Sequence, residues 1–107
     1  MNTSRILLNN ASHLKVLSAN CQGLQNFQKS VDVLNYFKTI GVNILCLQDT
    51  HWTQHDLARI KNIWGKNCFI NGYKTNARGV AILINDSTEY EVESRHEDQN
   101  GNLLCLI

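Results

Sequence analysis

LKVLSAN at residues 14–20 and VNILCLQD at residues 42–49 flank a stretch with helical periodicity. The first run alternates apolar residues with small and polar ones, as a half-buried strand does. The second is nearly continuous in apolar character up to Gln48 and Asp49, which suits a strand buried on both faces. Between them Phe27, Val31, Leu34 and Phe37 recur at helical spacing, and Val33 and Ile40 widen the stripe. Asn26 can serve as N-cap and Gly41 as C′ residue, so the spacing predicts a helix over 26–40. Strand, helix and strand with short connections form a βαβ unit with parallel strands and a right-handed crossover.

The segments that follow do not keep alternating with helices. Residues 54–64 (QHDLARIKNIW) predict a second helix with Leu57, Ile60 and Trp64 inward. Strands are expected at 68–71, at 79–85 (GVAILIN) and at 90–95, with Asn100-Gly101 turning the chain into a hairpin partner at 102–107. Successive strands of this kind argue against a free-standing flavodoxin-like or receiver domain. Residues 1–13 read as a flexible leader ahead of a domain spanning 14–107. The last strand runs apolar to Ile107, so the domain is expected to be truncated at its C-terminus.

With 107 residues there is room for one domain. Apolar residues make up 43% and charged residues 18%, outside the range of disordered tails and of membrane proteins. The net charge of +1 selects no partner. Proline is absent, so glycine and asparagine must punctuate the chain. Cys21, Cys46, Cys68 and Cys105 form no CxxC pair, and their surroundings suit reduced thiols in a core. No secretory leader or long apolar run occurs, which points to an intracellular protein, nuclear or cytoplasmic, with no membrane partner.

Chemistry is expected at the carboxyl edge of the two parallel strands, where α/β folds place ligands. One strand closes on Asn20 and the other on Asp49. An aspartate there can bind Mg²⁺ together with waters and phosphate oxygens, and the neutral Asn amide can donate to a phosphate oxygen. Asn and Asp are equally ordinary as strand-terminal turn residues. His51 and His55 stand four apart in HWTQH, which lacks the glutamate of a metalloprotease motif, so a solvated helix start explains them. His13 and His96 are expected at the surface. No GxSxG, reactive cysteine or phosphate-cradling GxxxxGK[ST] loop is present.

Charge is unevenly distributed. Between Leu57 and Asn85 there is no acidic residue, while Arg59, Lys61, Lys66, Lys74 and Arg78 occur there with Trp64, Phe69 and Tyr73 among them. Such a stretch can follow a nucleic-acid backbone and stack bases, or it can be a solvated basic face over core aromatics. Farther on, Asp86, Glu89, Glu91, Glu93, Glu97 and Asp98 surround a lone Arg95, as in an edge hairpin protected by charge.

Taken in order, LKVLSANCQGLQN, NILCLQDTHWT and GKNCFINGYKTNARGVAILIND resemble the N-terminal half of an endonuclease/exonuclease/phosphatase-superfamily domain. The likeness extends over 14–107 and is nearest to the apurinic-endonuclease-like domain of LINE-type retrotransposons. The resemblance implies an α/β fold of four-layer sandwich type, here a partial one with one sheet and its flanking helices. It implies a Mg²⁺- or Mn²⁺-dependent phosphodiesterase that nicks DNA, followed in its polyprotein by a reverse transcriptase. Asn20 matches the family asparagine at the phosphate, and Asp49 matches the acidic metal ligand. The family normally has Glu at that position, and Asp is shorter by one C–C bond, about 1.5 Å. The family's catalytic tyrosine, Asp/Asn pair and terminal Asp/His pair all fall beyond Ile107. The expectation is therefore an endonuclease fragment that is inactive alone, with metal binding weak or absent. The alternatives are a non-enzymatic nucleic-acid-binding or interaction module, or an inert retroelement relic.

Overall fold

The computed structural model describes residues 2–8, 14–74 and 76–107. Its elements run β1 (Asn2–Leu8), β2 (Leu14–Asn20), α1 (Phe27–Thr39), β3 (Ile44–Gln48), a 3-10 turn (Gln54–Asp56), α2 (Leu57–Trp64), β4 (Cys68–Asn71), β5 (Val80–Ile84), β6 (Arg95–Glu97) and β7 (Leu104–Leu106). The first five strands form one sheet in the order β1-β2-β3-β5-β4. β2 and β3 are parallel, and every other neighbouring pair in that sheet is antiparallel. The βαβ unit read from 14–49 is thus the parallel heart of a mixed sheet.

α1 forms where the apolar stripe and its caps predict. The Asn26 side chain accepts from the Lys29 N–H at 3.1 Å. At the other end Gly41 N donates to Lys38 O at 3.0 Å and Val42 N to Phe37 O at 3.3 Å, which is the Schellman pattern. Gly41 takes φ 75, a conformation that other residues adopt at a cost. α2 is shorter than the predicted 54–64. Its first turn is 3-10, closed by a capping box in which the Asp56 carboxylate accepts from Thr53 N at 2.8 Å.

Both helices cover one face of the sheet. Leu34 and Phe37 of α1 and Ile60 and Trp64 of α2 pack on Leu17, Ala19, Leu45, Leu47, Ala81 and Leu83, all 5% exposed or less. Leu57 is only partly buried at the margin of this core. Phe27 departs from the predicted stripe. It is 46% exposed at the first position of α1 and carries the Arg59 guanidinium 5.1 Å from its ring centroid.

The opposite face is not closed in the same way. Ile44, Cys46 and Ile82 are half-buried there, so β3 is sealed on one face only, not on both. The hairpin β6–β7 lies over this face, leaving an apolar groove of about 290 Å³ lined by Ile44, Cys46, Ile82, Ile84, Tyr90 and Leu106. The layers among the described residues are helices, a mixed sheet and a two-stranded hairpin. That is an α/β arrangement.

Two further expectations change. Asn2–Leu8, read as leader, pairs antiparallel with all of β2, while residues 9–13 lie outside the described residues. The strand expected at 90–95 is instead the three-residue β6, and residues 98–103 separate it from β7. The two-residue Asn-Gly hairpin is replaced because Asp98 organises a longer loop (below). No helix among the described residues is long and apolar enough to cross a membrane.

Candidate functional site

The parallel register pairs Asn20 with Gln48, which puts Asp49 one residue past the strand at the same carboxyl edge. Paired strands lie about 4.8 Å apart. Beyond the strand ends the two chains stay joined, by Cys21 N to Gln48 O at 2.8 Å, Gly23 N to Asp49 O at 2.8 Å and Leu24 N to Thr50 O at 2.7 Å. On the other flank Thr50 N donates to Gly79 O at 3.0 Å and His51 N to Arg78 O at 2.7 Å. Residues 48–51 are therefore clamped between the loop after β2 and the residues before β5.

This clamp holds unusual backbone. Among the described residues four non-glycines have positive φ, namely Gln22 (54), Asp49 (53), His51 (63) and Arg78 (58), and all four lie in these edge loops. Such conformations cost of order 1–3 kcal/mol each and persist where surrounding structure enforces them. Trp52 anchors the clamp from below. Its indole is 1% exposed, and Nε1 donates to Leu24 O at 3.1 Å and Ser30 Oγ at 3.2 Å.

Asp49 lines a cavity of about 240 Å³ together with Gln48, Arg78, Gly79, Val80, Gly101 and Asn102. Its carboxylate Oδ1 lies 2.8 Å from His51 Nε2, and the Asp49 side chain is 39% exposed. His51 Nδ1 lies 3.0 Å from the Gln25 side-chain amide. Asn20 is exposed, does not line the cavity, and accepts from Gln22 N at 3.2 Å through Oδ1. The group it can still offer is its Nδ2 amide.

The five basic residues read as one stretch do not form one patch. Arg78 and Lys74 stand at the Asp49 edge, where both cations approach the 39%-exposed Tyr73, 4.5 Å and 5.0 Å from its ring centroid. Arg78 Nη1 also donates to Asn100 O at 3.4 Å. Arg59 of α2 pairs with Asp56 of the preceding 3-10 turn at 2.5 Å. Lys61 is exposed in the last turn of α2. Lys66 lies at the opposite end of the sheet, where its N–H donates to Asp86 Oδ1 at 3.1 Å. Of the three aromatics, Trp64 is buried and donates to Ile84 O at 3.0 Å, and Phe69 packs edge-on against Tyr90.

His51 and His55 do not share a helix face, since His51 is in the edge loop and His55 in the 3-10 turn. His96 is exposed, and His13 lies outside the described residues. All four cysteines are free. Burial is the main influence on Cys21 and Cys68 and pushes each thiol up to about 12, so neither serves as a thiolate nucleophile near neutral pH.

One acidic residue of the C-terminal run, Asp98, does structural work that sequence reasoning missed. Asp98 Oδ1 accepts from Asn102 N at 3.1 Å, Leu103 N at 3.2 Å and the buried Asn71 Nδ2 at 3.1 Å. Desolvation raises the Asp98 carboxyl, but these bonds and one from Asn100 outweigh it and hold the group below the usual carboxylate range. The loop so organised brings Gly101 and Asn102 to the cavity. The signal was present as an aspartate just ahead of Asn-Gly, but its partner Asn71 is remote in sequence.

The chain is similar to a transposon protein. It is 30% identical over 93 residues to the Transposon TX1 uncharacterized 149 kDa protein of Xenopus laevis. That match covers 87% of this chain and 7% of the other, so the chain spans a small part of the relative's length. No protein-family model matches the chain.

Proposed function

We propose that this chain is the first part of a Mg²⁺-dependent DNA endonuclease of LINE-type retrotransposon origin, completed by further residues of a longer polyprotein that includes a reverse transcriptase. The observation that carries this reading is the shared carboxyl edge, where strand register sets Asn20 beside Gln48 and Asp49, and Asp49 faces Arg78 across one cavity. The transposon relative supports the retrotransposon origin in this reading.

The donor set fits a hydrated divalent cation. Mg²⁺ typically takes one or two carboxylates, with waters and phosphate oxygens completing the shell. Asp49 offers a partly exposed carboxylate with one oxygen engaged by His51. Among the described residues no group of three or more His, Cys, Asp or Glu forms a closed metal cage. Asp49 would hold the ion, which when bound would supply charge stabilisation at the scissile phosphate. Arg78 presents a planar fork of N–H donors suited to phosphate oxygens, braced by Tyr73 and Asn100. The Asn20 amide stands at the same carboxyl edge, outside that cavity, and would meet a more distant oxygen of the nucleic-acid backbone without adding charge. These residues bind and orient. The water-activating base comes from outside this chain, so the 107 residues alone are inactive, and the second sheet and outer helices of a four-layer sandwich complete the fold.

The test is nicking of supercoiled plasmid in Mg²⁺. A longer polyprotein carrying this chain should nick, and Asp49→Ala should reduce the rate at least 100-fold. Nicking that is indifferent to Asp49 sinks the reading. Asp49-dependent nicking by the 107-residue chain alone would overturn its inactivity. A second reading, nucleic-acid binding without catalysis, is favoured by the Lys74–Tyr73–Arg78 cluster. It predicts DNA affinity that falls steeply with salt and requires Arg78, with no cleavage by any longer form.

A further inference from the structure

We infer that His51 is a positioning residue that aims the Asp49 carboxylate, an inference that rests on the cation-binding reading of Asp49 above. Both residues sit in left-handed backbone, φ 53 and 63, a conformation that costs free energy in a side-chain-bearing residue. Thr50 between them is fully buried. Within this left-handed backbone, Nε2 of His51 meets Oδ1 of Asp49 at 2.8 Å. A carboxylate only accepts, so Nε2 carries the hydrogen of this bond.

The imidazole is itself held. Its Nδ1 lies 3.0 Å from the Gln25 side-chain amide, and the side chain is only 16% exposed. Gly23 forms the wall beside it. A Cβ at Gly23 would stand 2.8 Å from His51 Nδ1 and 2.8 Å from Gln25 Oε1, so a larger residue could not close over the ring. Gly23 N also ties to Asp49 O, and His51 N to Arg78 O, which fixes both ends of the pair.

The consequence is geometric. A free aspartate at a strand end samples several rotamers. Here Oδ1 is committed to His51, and the carboxylate lines the cavity shared with Arg78. Hydrogen-bonding partners of metal-binding groups typically contribute 10–100-fold to metal affinity by this kind of orientation. The short aspartate gains most from it, because a single well-aimed carboxylate must do what a longer side chain could do by reaching.

Mn²⁺ serves as the probe. Its affinity for the full 107-residue chain is measured by electron paramagnetic resonance, and paramagnetic broadening of the Asp49 amide signal locates the ion. His51→Ala should weaken Mn²⁺ binding 10–100-fold, and His51→Gln, which restores an N–H donor, should recover most of it. Thermal unfolding within about 2 °C of the parent shows that fold is retained; if His51→Ala unfolds, Gln25→Ala, which releases the ring without touching the pair, should give a smaller loss in the same direction. Equal or tighter Mn²⁺ binding by the folded His51→Ala chain, with Asp49→Ala still abolishing binding, overturns the positioning role and leaves the cation site standing. Binding that ignores Asp49→Ala, or no binding by the parent chain, overturns both.

Discussion

The helix-covered face of the sheet and its carboxyl edge are built on opposite terms. On the covered face Leu17, Leu45, Leu47 and Leu83 sit in regular strands at 4% exposure or less, and nothing there is strained or charged. At the edge, a few residues away along the same strands, Asn20 at the end of β2 and Asp49 and Arg78 in the loops beyond stand partly or fully exposed, and these loops gather all four positive-φ non-glycines found among the described residues. Stability is concentrated in one region and conformational cost in the other. Proteins tolerate local strain where a rigid scaffold enforces it, and here the scaffold is the adjoining pair of parallel strands with Trp52 beneath.

Substitutions should separate the two regions. The largest effect is expected on the covered face. Leu45→Ala removes a side chain with 0% exposure and should cost about 2–5 kcal/mol in urea unfolding. A loss under 1 kcal/mol would show that this face is not the core. Next comes the join between the regions. Trp52→Phe keeps the ring but removes the donor to Leu24 and Ser30, and should cost about 1–2 kcal/mol. The loop should also loosen, seen as faster amide exchange at Thr50 and His51.

At the edge itself the sign should reverse. Arg78→Gly relieves a φ of 58 and should leave stability unchanged or raise it by about 1 kcal/mol. The same change should lower DNA affinity and reduce the salt slope by about one. A clear loss of stability would mean that the Tyr73 and Asn100 contacts outweigh the strain, and the contrast between face and edge would weaken. The smallest effect is expected in acid. The Asp98 carboxyl titrates below its unfolded value, so its stabilising contribution is complete above about pH 4 and is lost as pH falls through the lower folded value. The parent chain should therefore be more stable than Asp98→Asn at pH 6, and the two should converge as pH falls through that lowered value. A gap that persists in strong acid would assign the loop's stability to other groups.

Local physics made much of this legible in advance. The helix over 26–40 carried its own caps, and the Schellman pattern at Gly41 formed as its residues suggested. The parallel pairing of 14–20 with 42–49 followed from a helix that had to cross between them. What misled was any judgement about coverage. Phe27 fell on the apolar stripe yet lies outside the core, and β3 was apolar throughout yet is sealed on one face only. A run of apolar residues reports what a segment can bury, not what comes to cover it. The antiparallel pairing of 2–8 was missed because that segment carries only a short apolar signal, and its partner is a strand already spoken for on one side.

The carboxyl edge divides along the same line. Asn20 and Asp49 could be placed there from strand order alone, because parallel strands must end together. The His51–Asp49 contact could not, since the left-handed backbone at both residues is imposed by the neighbouring loops and no local pattern announces it. Nor could the basic residues be sorted. Lys66 and Arg78 are twelve positions apart in one stretch free of acidic residues, yet an antiparallel β4–β5 pair sends them to opposite ends of the sheet. Sequence by itself determined which segments could be strands and helices, because periodicity and capping are local. Tertiary structure alone decided which polar groups meet and which face stays open, because those depend on register and on neighbours that no local pattern encodes.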